Sequence, residues 1–120
     1  MESAQELADR YVAVWNEVDA ERRRKMIADL WTPGGEHYVG TQEVRGYDAL
    51  EERITRSHLK NVREGGHRFR AANDARALSN VVTFHWEMLP ADRETVVASG
   101  LEFVIVNEQG RIVVDYQFVL

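Results

Sequence analysis

The sequence predicts a single α+β domain spanning 1–120, with helices first and antiparallel strands after, the helices lying on one face of a curved sheet. Three observations predict it. Apolar residues recur at helical spacing as far as about Arg63. From His67 onward the period falls to two. Turn-forming stretches such as "TPGG", "EGG", "PADRE" and "NEQG" punctuate the periodic segments.

The first helix opens at Ser3-Ala4-Gln5-Glu6, the spacing of a capping box, in which a hydroxyl and a carboxylate each satisfy an orphan amide. Leu7, Tyr11, Val14, Trp15 and Val18 then share one stripe. Asp19 is placed to cap a second helix whose apolar face carries Met26, Ile27, Leu30 and Trp31, and "TPGG" ends it. The basic run Glu21-Arg22-Arg23-Arg24-Lys25 reads as a solvated face of that helix. A short extended piece over 36–39 follows. After Gly46 a third helix runs to about Arg63, with Leu50, Ile54, His58 and Val62 at every fourth position.

In the strand half, Val82, Phe84, Trp86 and Met88 alternate with Val81, Thr83, His85 and Glu87. The strand "SGLEFVIV" raises a chemical question, because Glu102 sits among apolar neighbours on both sides. An ionised carboxylate buried without a partner is costly, so such a group shifts its pKa or finds one. The next turn suggests its neighbour. Asn107 at the first position and Gly110 at the fourth suit a type I turn with a left-handed Gly. That register pairs Asn107 with Arg111, Val106 with Ile112, Val104 with Val114 and Glu102 with Tyr116. A shift of one residue would oppose Glu102 and Asp115, two like charges across the ladder. In the chosen register Glu102 is the only acid on a face that includes Tyr116, Phe118, Phe84 and Trp86. The opposite face holds Leu101, Phe103 and Ile105 with Val113, Gln117 and Val119, fringed by Thr83, His85, Glu87 and Asp115. An apolar patch of that size predicts a two-fold homodimer through the sheet.

Composition narrows the function classes. A net charge of −5 argues against a nucleic-acid surface. There is no cysteine, so thiolate and disulfide chemistry are excluded. Four histidines are scattered without metal-binding spacing, so neither a metal nor a cofactor is expected. No apolar stretch approaches the ~20 residues of a membrane span, and "MESAQELADR" lacks a leader-peptide core, so the expected location is cytoplasmic.

Three segments carry a family resemblance. "RYVAVWNEVD" at 10–19 is similar to the first-helix pattern of ketosteroid isomerases. "EVRGYDALEERI" at 43–54 resembles their Gly-led entry to the third helix, and "GLEFVIVNEQGRI" at 100–112 resembles their acidic strand and hairpin. In this order and spacing they resemble the nuclear-transport-factor-2-like superfamily, also called SnoaL-like. The resemblance implies three N-terminal helices packed in the concave face of a strongly bent antiparallel sheet, a cystatin-like cone. It also implies roles for Tyr11 and Glu102 as hydrogen-bond donors to a substrate oxyanion, the acid being kept neutral by its apolar pocket. The chain departs from the isomerases where their carboxylate base belongs. That segment reads "GGEHYVGTQEV" and has no Asp, only Glu36 and Glu43 nearby. Steroid isomerisation is therefore not expected, and the Asp–Arg–Asp relay of epoxide hydrolases of this superfamily does not assemble either.

The candidate catalytic residues are thus Glu102, Tyr11 and His58. His58 is read either as a proton carrier reaching the pocket or as a core histidine, and His37 either as a base or as an exposed residue of an edge segment. Trp15, Tyr38, Phe69, Trp86, Tyr116 and Phe118 are candidate walls of a ligand cavity, at spacings that also serve a plain core. The expected function is a small-molecule pocket, with an acid/base isomerase, cyclase or hydratase as the enzyme reading and a non-catalytic ligand-binding homodimer as its rival. The substrate would be a small carbonyl-bearing or ring-containing molecule. A protein–protein adaptor is the third class.

Overall fold

A computed structural model describes residues 2–120 of the chain. Helix α1 (Ala4–Asn16) starts where the capping box stands: Glu6 N–H donates to Ser3 Oγ, and Ser3 N–H donates to Glu6 Oε1. Helix α2 (Ala20–Leu30) is capped by Asp19, whose carboxylate accepts from the Glu21 and Arg22 amides. Helix α3 (Gly46–Ser57) continues into a wider π-helical segment, His58–Glu64. No helix among the described residues is long and apolar enough to cross a membrane.

The strands are β1 (Trp31–Val39), β2 (Gln42–Arg45), β3 (His67–Ala71), β4 (Arg76–Leu78), β5 (Val81–Pro90), β6 (Ala98–Val106) and β7 (Ile112–Val119). They form one curved, unclosed sheet in the order β2-β1-β7-β6-β5-β3, with β4 also paired to β5. All pairings are antiparallel except β1 with β7. The three helices pack on the inner face around Tyr11, Trp15, Ile27, Leu30, Trp31, Ile54, Phe84 and Val104. Helix α1 is fastened to strand β3 by Asn16, whose amide donates to Phe69 O and accepts from Phe69 N–H. This side chain satisfies both main-chain groups of a residue on an edge strand.

Several expectations need correcting. Val18 is exposed rather than part of the α1 stripe. Helix α2 stops at Leu30, and Trp31 opens β1, so "TPGG" lies inside an irregular strand rather than ending a helix. Arg23 is buried, its guanidinium donating to Glu17 O and Thr55 Oγ1, and so does not belong to a solvated face.

The main correction is register. The turn forms as its residues require: Gly110 N–H donates to Asn107 O, Asn107 N–H donates to Arg111 O, and Gly110 has φ +79°. Val106 faces Ile112 as expected. A bulge at Val113 then shifts the ladder, so that Ile105 faces Val114, Val104 faces Asp115 and Glu102 faces Gln117. Tyr116 and Phe118 consequently point to the outer face, and Asp115, Gln117 and Val119 to the inner one. Leu101, Phe103 and Ile105 remain on the outer face, joined now by Val114, Tyr116 and Phe118.

Candidate active site

Glu102 lies in the middle of β6 on the inner face and is fully buried. Its cross-strand position relative to β5 places it beside Trp86, whose partner in the ladder is Gly100. Trp86 Nε1–H donates to Glu102 Oε1 at 3.0 Å. The bulge at Val113 brings a second acid onto this face, Asp115, which is also fully buried. Asp115 Oδ2 accepts from the Tyr11 hydroxyl at 2.5 Å and from His37 Nδ1–H at 2.7 Å. Strand β1 supplies His37 because it runs parallel to β7 and pairs His37 with Asp115 directly. His37 is held between the Trp15 and Trp31 rings, 5.8 and 6.1 Å away by centroid.

The two carboxyl groups lie on neighbouring strands of the inner face, within interacting range of each other. Burial is the main cause that raises the Glu102 pKa well above its ordinary value, and the charge of Asp115 and a hydrogen bond with it raise it further; Trp86 and Tyr11 pull it down less. Oε2 of Glu102 and Oδ1 of Asp115 have no N–H or O–H donor among the described residues. A hydrogen bond between two carboxyls requires a proton on one of them. The raised pKa of Glu102 favours placing that proton on Glu102. Tyr11 is likewise held neutral, by burial first and then by the charge of Asp115.

Beside this cluster opens a cavity of about 490 Å³, within the range of small-molecule sites. Tyr11, Trp15, Phe69, Trp86 and Glu102 line it, as do Arg53, Arg56, Lys60 and Gln117. The structure thus gathers five of the anticipated residues around one space. It leaves four out. His58 is buried with Nδ1 at 2.9 Å from Trp15 O, and so is a core histidine bonded to the backbone of α1. Tyr38 stacks on Tyr116 on the outer face, at 5.5 Å and 19°. Tyr116 packs edge-on against Phe103 there, and Phe118 is exposed. The cross-strand pairing anticipated between Glu102 and Tyr116 is replaced by one with Gln117, and Trp86 donates to the Glu102 carboxyl. His37, read as an exposed edge residue or a base, is neither on an edge nor in the cavity lining. Glu36 is engaged with Tyr38 and Arg45 away from the cavity, and Glu43 is exposed.

Asp115 is the residue the sequence reading misplaced. Its own strand, "IVVDYQFV", carried the same signal as the Glu102 strand, a lone acid among apolar neighbours.

Solved structures resemble this chain over nearly its whole length. A SnoaL-like family protein from Agrobacterium tumefaciens, named as a candidate isomerase, is 27% identical, with a TM-score of 0.83 over 95% of this chain and 94% of that one. An NTF2-like protein of unknown function from Exiguobacterium is 17% identical, with a TM-score of 0.71 over 95% and 98%. A candidate polyketide cyclase from Sinorhizobium meliloti is 9% identical, with a TM-score of 0.63 over 92% of each chain. No protein-family model matches the sequence, and no curated protein matches it.

Proposed function

The chain has the fold of the nuclear-transport-factor-2-like, or SnoaL-like, superfamily, and on that premise we propose that its cavity is an acid-assisted site for a small carbonyl- or ring-bearing molecule. The reaction class is isomerisation, cyclisation or hydration through an enol-like intermediate. The observation that carries this reading is the carboxyl pair, with Glu102 in the cavity wall and Asp115 behind it. At rest the Glu102 proton is directed at Asp115. A ligand oxygen entering the cavity offers a second acceptor, and the proton turns outward to it. As charge develops on that oxygen, the neutral carboxyl stabilises it, while water entering through the open mouth of the cavity takes the proton from carbon. Burial first, and then Asp115 held by Tyr11 and His37, favours the protonated form of Glu102. The candidate isomerase and candidate cyclase among the similar structures agree with this chemistry.

The test is α-proton exchange. A panel of cyclic ketones in deuterated buffer, followed by proton NMR, should lose α-proton signal faster with the wild-type protein than with Glu102→Gln. Exchange no faster than buffer for every ketone would refute catalysis. One observation favours the rival reading of a non-catalytic binder: Asp115 and His37 lie behind the wall, so no ionised carboxylate or imidazole contacts the cavity to take a proton from carbon.

The assembly we propose is a homodimer through the outer sheet face. Phe103, Tyr116 and Phe118 are exposed there in the centre of the sheet rather than at its edge. A two-fold contact needs a single self-complementary patch, and this is the patch the chain offers.

A further inference from the structure

The wall of the cavity opposite Glu102 is basic. Arg53 and Arg56 of α3 and Lys60 of the π-helical segment line it, at spacings of three and four that put them on one side of the helix. In a chain of net charge −5 this is an unexpected concentration of one sign. None of the three takes part in an ion pair among the described residues, although ten other pairs form. Arg53 is the least exposed of them. Its guanidinium lies 5.1 Å over the Trp15 ring, and its Nε is buried without an acceptor. Burial is the main cause that lowers its pKa, and the neighbouring charge of Arg56 lowers it further. Tyr11, Glu102 and Asp115 offset this only in part, acting at a distance and without a hydrogen bond to the guanidinium. Three cations converge on the cavity without an ion-pair partner among the described residues.

Building on the acid-assisted pocket, we infer that the ligand is an organic carboxylate, its carboxylate held by Arg53 with Arg56 and Lys60 at the mouth, and its oxygen-bearing ring or chain directed toward Glu102. The planar guanidinium matches a carboxylate with two parallel hydrogen bonds. The exposed Arg56 and Lys60 raise the local concentration of anions and speed their entry. The aromatic walls, Trp15, Phe69 and Trp86, take the apolar body between the two polar ends.

The experiment is a matched titration of 4-oxocyclohexanecarboxylate and its methyl ester, read by tryptophan fluorescence and calorimetry. The acid should bind wild-type protein about ten-fold tighter than the ester, the size expected for one charge-assisted hydrogen-bonded contact. That preference should fall toward parity in Arg53→Gln, survive in part in Arg53→Lys, and shrink with added salt. The double variant Arg56→Gln/Lys60→Gln changes exposed residues only and should weaken the acid and leave the ester unchanged, which keeps the test decisive even if Arg53→Gln unfolds. Equal binding of acid and ester by the wild type would overturn the inference, as would a preference unaffected by all three variants. Tighter binding of cyclohexyl phosphate than of either acid or ester would overturn the carboxylate class. Failure of ketone exchange with the carboxylate preference intact would remove the catalytic reading and leave the ligand class standing.

Discussion

The indole of Trp86 lies across Gly100, its partner in the β5–β6 ladder, in the space that a side chain at residue 100 would fill. A Cβ there would fall 2.2 Å from Cε2 and Cζ2 of the indole. Gly100 therefore lets the ring lie along β6 with Nε1 directed at Glu102, two residues on.

The first prediction follows from that overlap. Gly100→Ala should displace the indole, break its hydrogen bond to Glu102 and cost about 1–3 kcal/mol, the usual scale of overpacking. Urea denaturation measures the loss, and the Trp86 Nε1–H resonance should shift. An unchanged midpoint and an unchanged indole resonance would show that the ring is not held as described.

The second concerns pH. Glu102 is buried against Asp115, Tyr11, Trp86 and, at longer range, Arg53, and its folded pKa is raised well above 4.5. A raised folded pKa means that the contribution of this group to stability is whole below the unfolded value. It is then lost as pH rises through the folded one. Glu102→Gln keeps the shape, an acceptor for Trp86 and a donor for Asp115, and abolishes this loss. The variant should gain on wild type steadily as pH rises from about 4.5 toward neutrality and beyond. Urea midpoints for both proteins across that interval provide the check, and parallel curves would mean that Glu102 ionises freely.

The third tests the linkage of the acids. Asp115→Asn replaces the acceptor of both Tyr11 and His37 with a group that has one acceptor oxygen and an unwanted N–H₂, and should cost about 1–3 kcal/mol. Combined with Glu102→Gln, the effects should not add, with a coupling above about 0.5 kcal/mol. Additive free energies in the double-mutant cycle would make the two carboxyls independent.

The fourth addresses assembly. Phe103 is exposed on the outer face against Tyr116, 6.2 Å away by centroid. The wild type should be a dimer by light scattering and Phe103→Arg a monomer, with the inner cavity and its ligand binding left intact. A wild-type mass of one chain at micromolar concentration would end the proposal.

Much of this architecture is written in local chemistry. Ser3 and Glu6 announce α1, Asp19 announces α2, and Asn107 with Gly110 announces the last turn, because each acts through atoms a few residues away. Glu102 was recognisable as buried from its neighbours alone. What failed was phase. Pairing was carried from the turn along β7 by strict alternation, and the bulge at Val113 breaks alternation without any marker residue such as Gly or Pro. The price was the exchange of Tyr116 for Asp115 on the inner face. The pairing of β1 with β7 was hidden for a different reason. It is parallel and joins segments about eighty residues apart, so nothing local signals that His37 will meet Asp115. Arg53 was overlooked because a basic residue on a helix is usually solvated, and only the cavity beside it gives it a role.

Val113 has a wider meaning. It is the spacer that sets the phase of β7, since Val106 faces Ile112 and Ile105 faces Val114 across it. Were the ladder to run through Val113 without the bulge, Ile105 would face Val113, and every side chain from Val114 onward would swing to the opposite side of the sheet. Asp115 would leave the interior and strand Tyr11 and His37, while Tyr116 and Phe118 would turn inward and plug the chamber with rings. One sequence in two registers would thus differ as an acid-floored vessel differs from a stoppered one. Among relatives of this chain, the presence of the bulge should report the chamber's chemistry more faithfully than the percentage of residues shared.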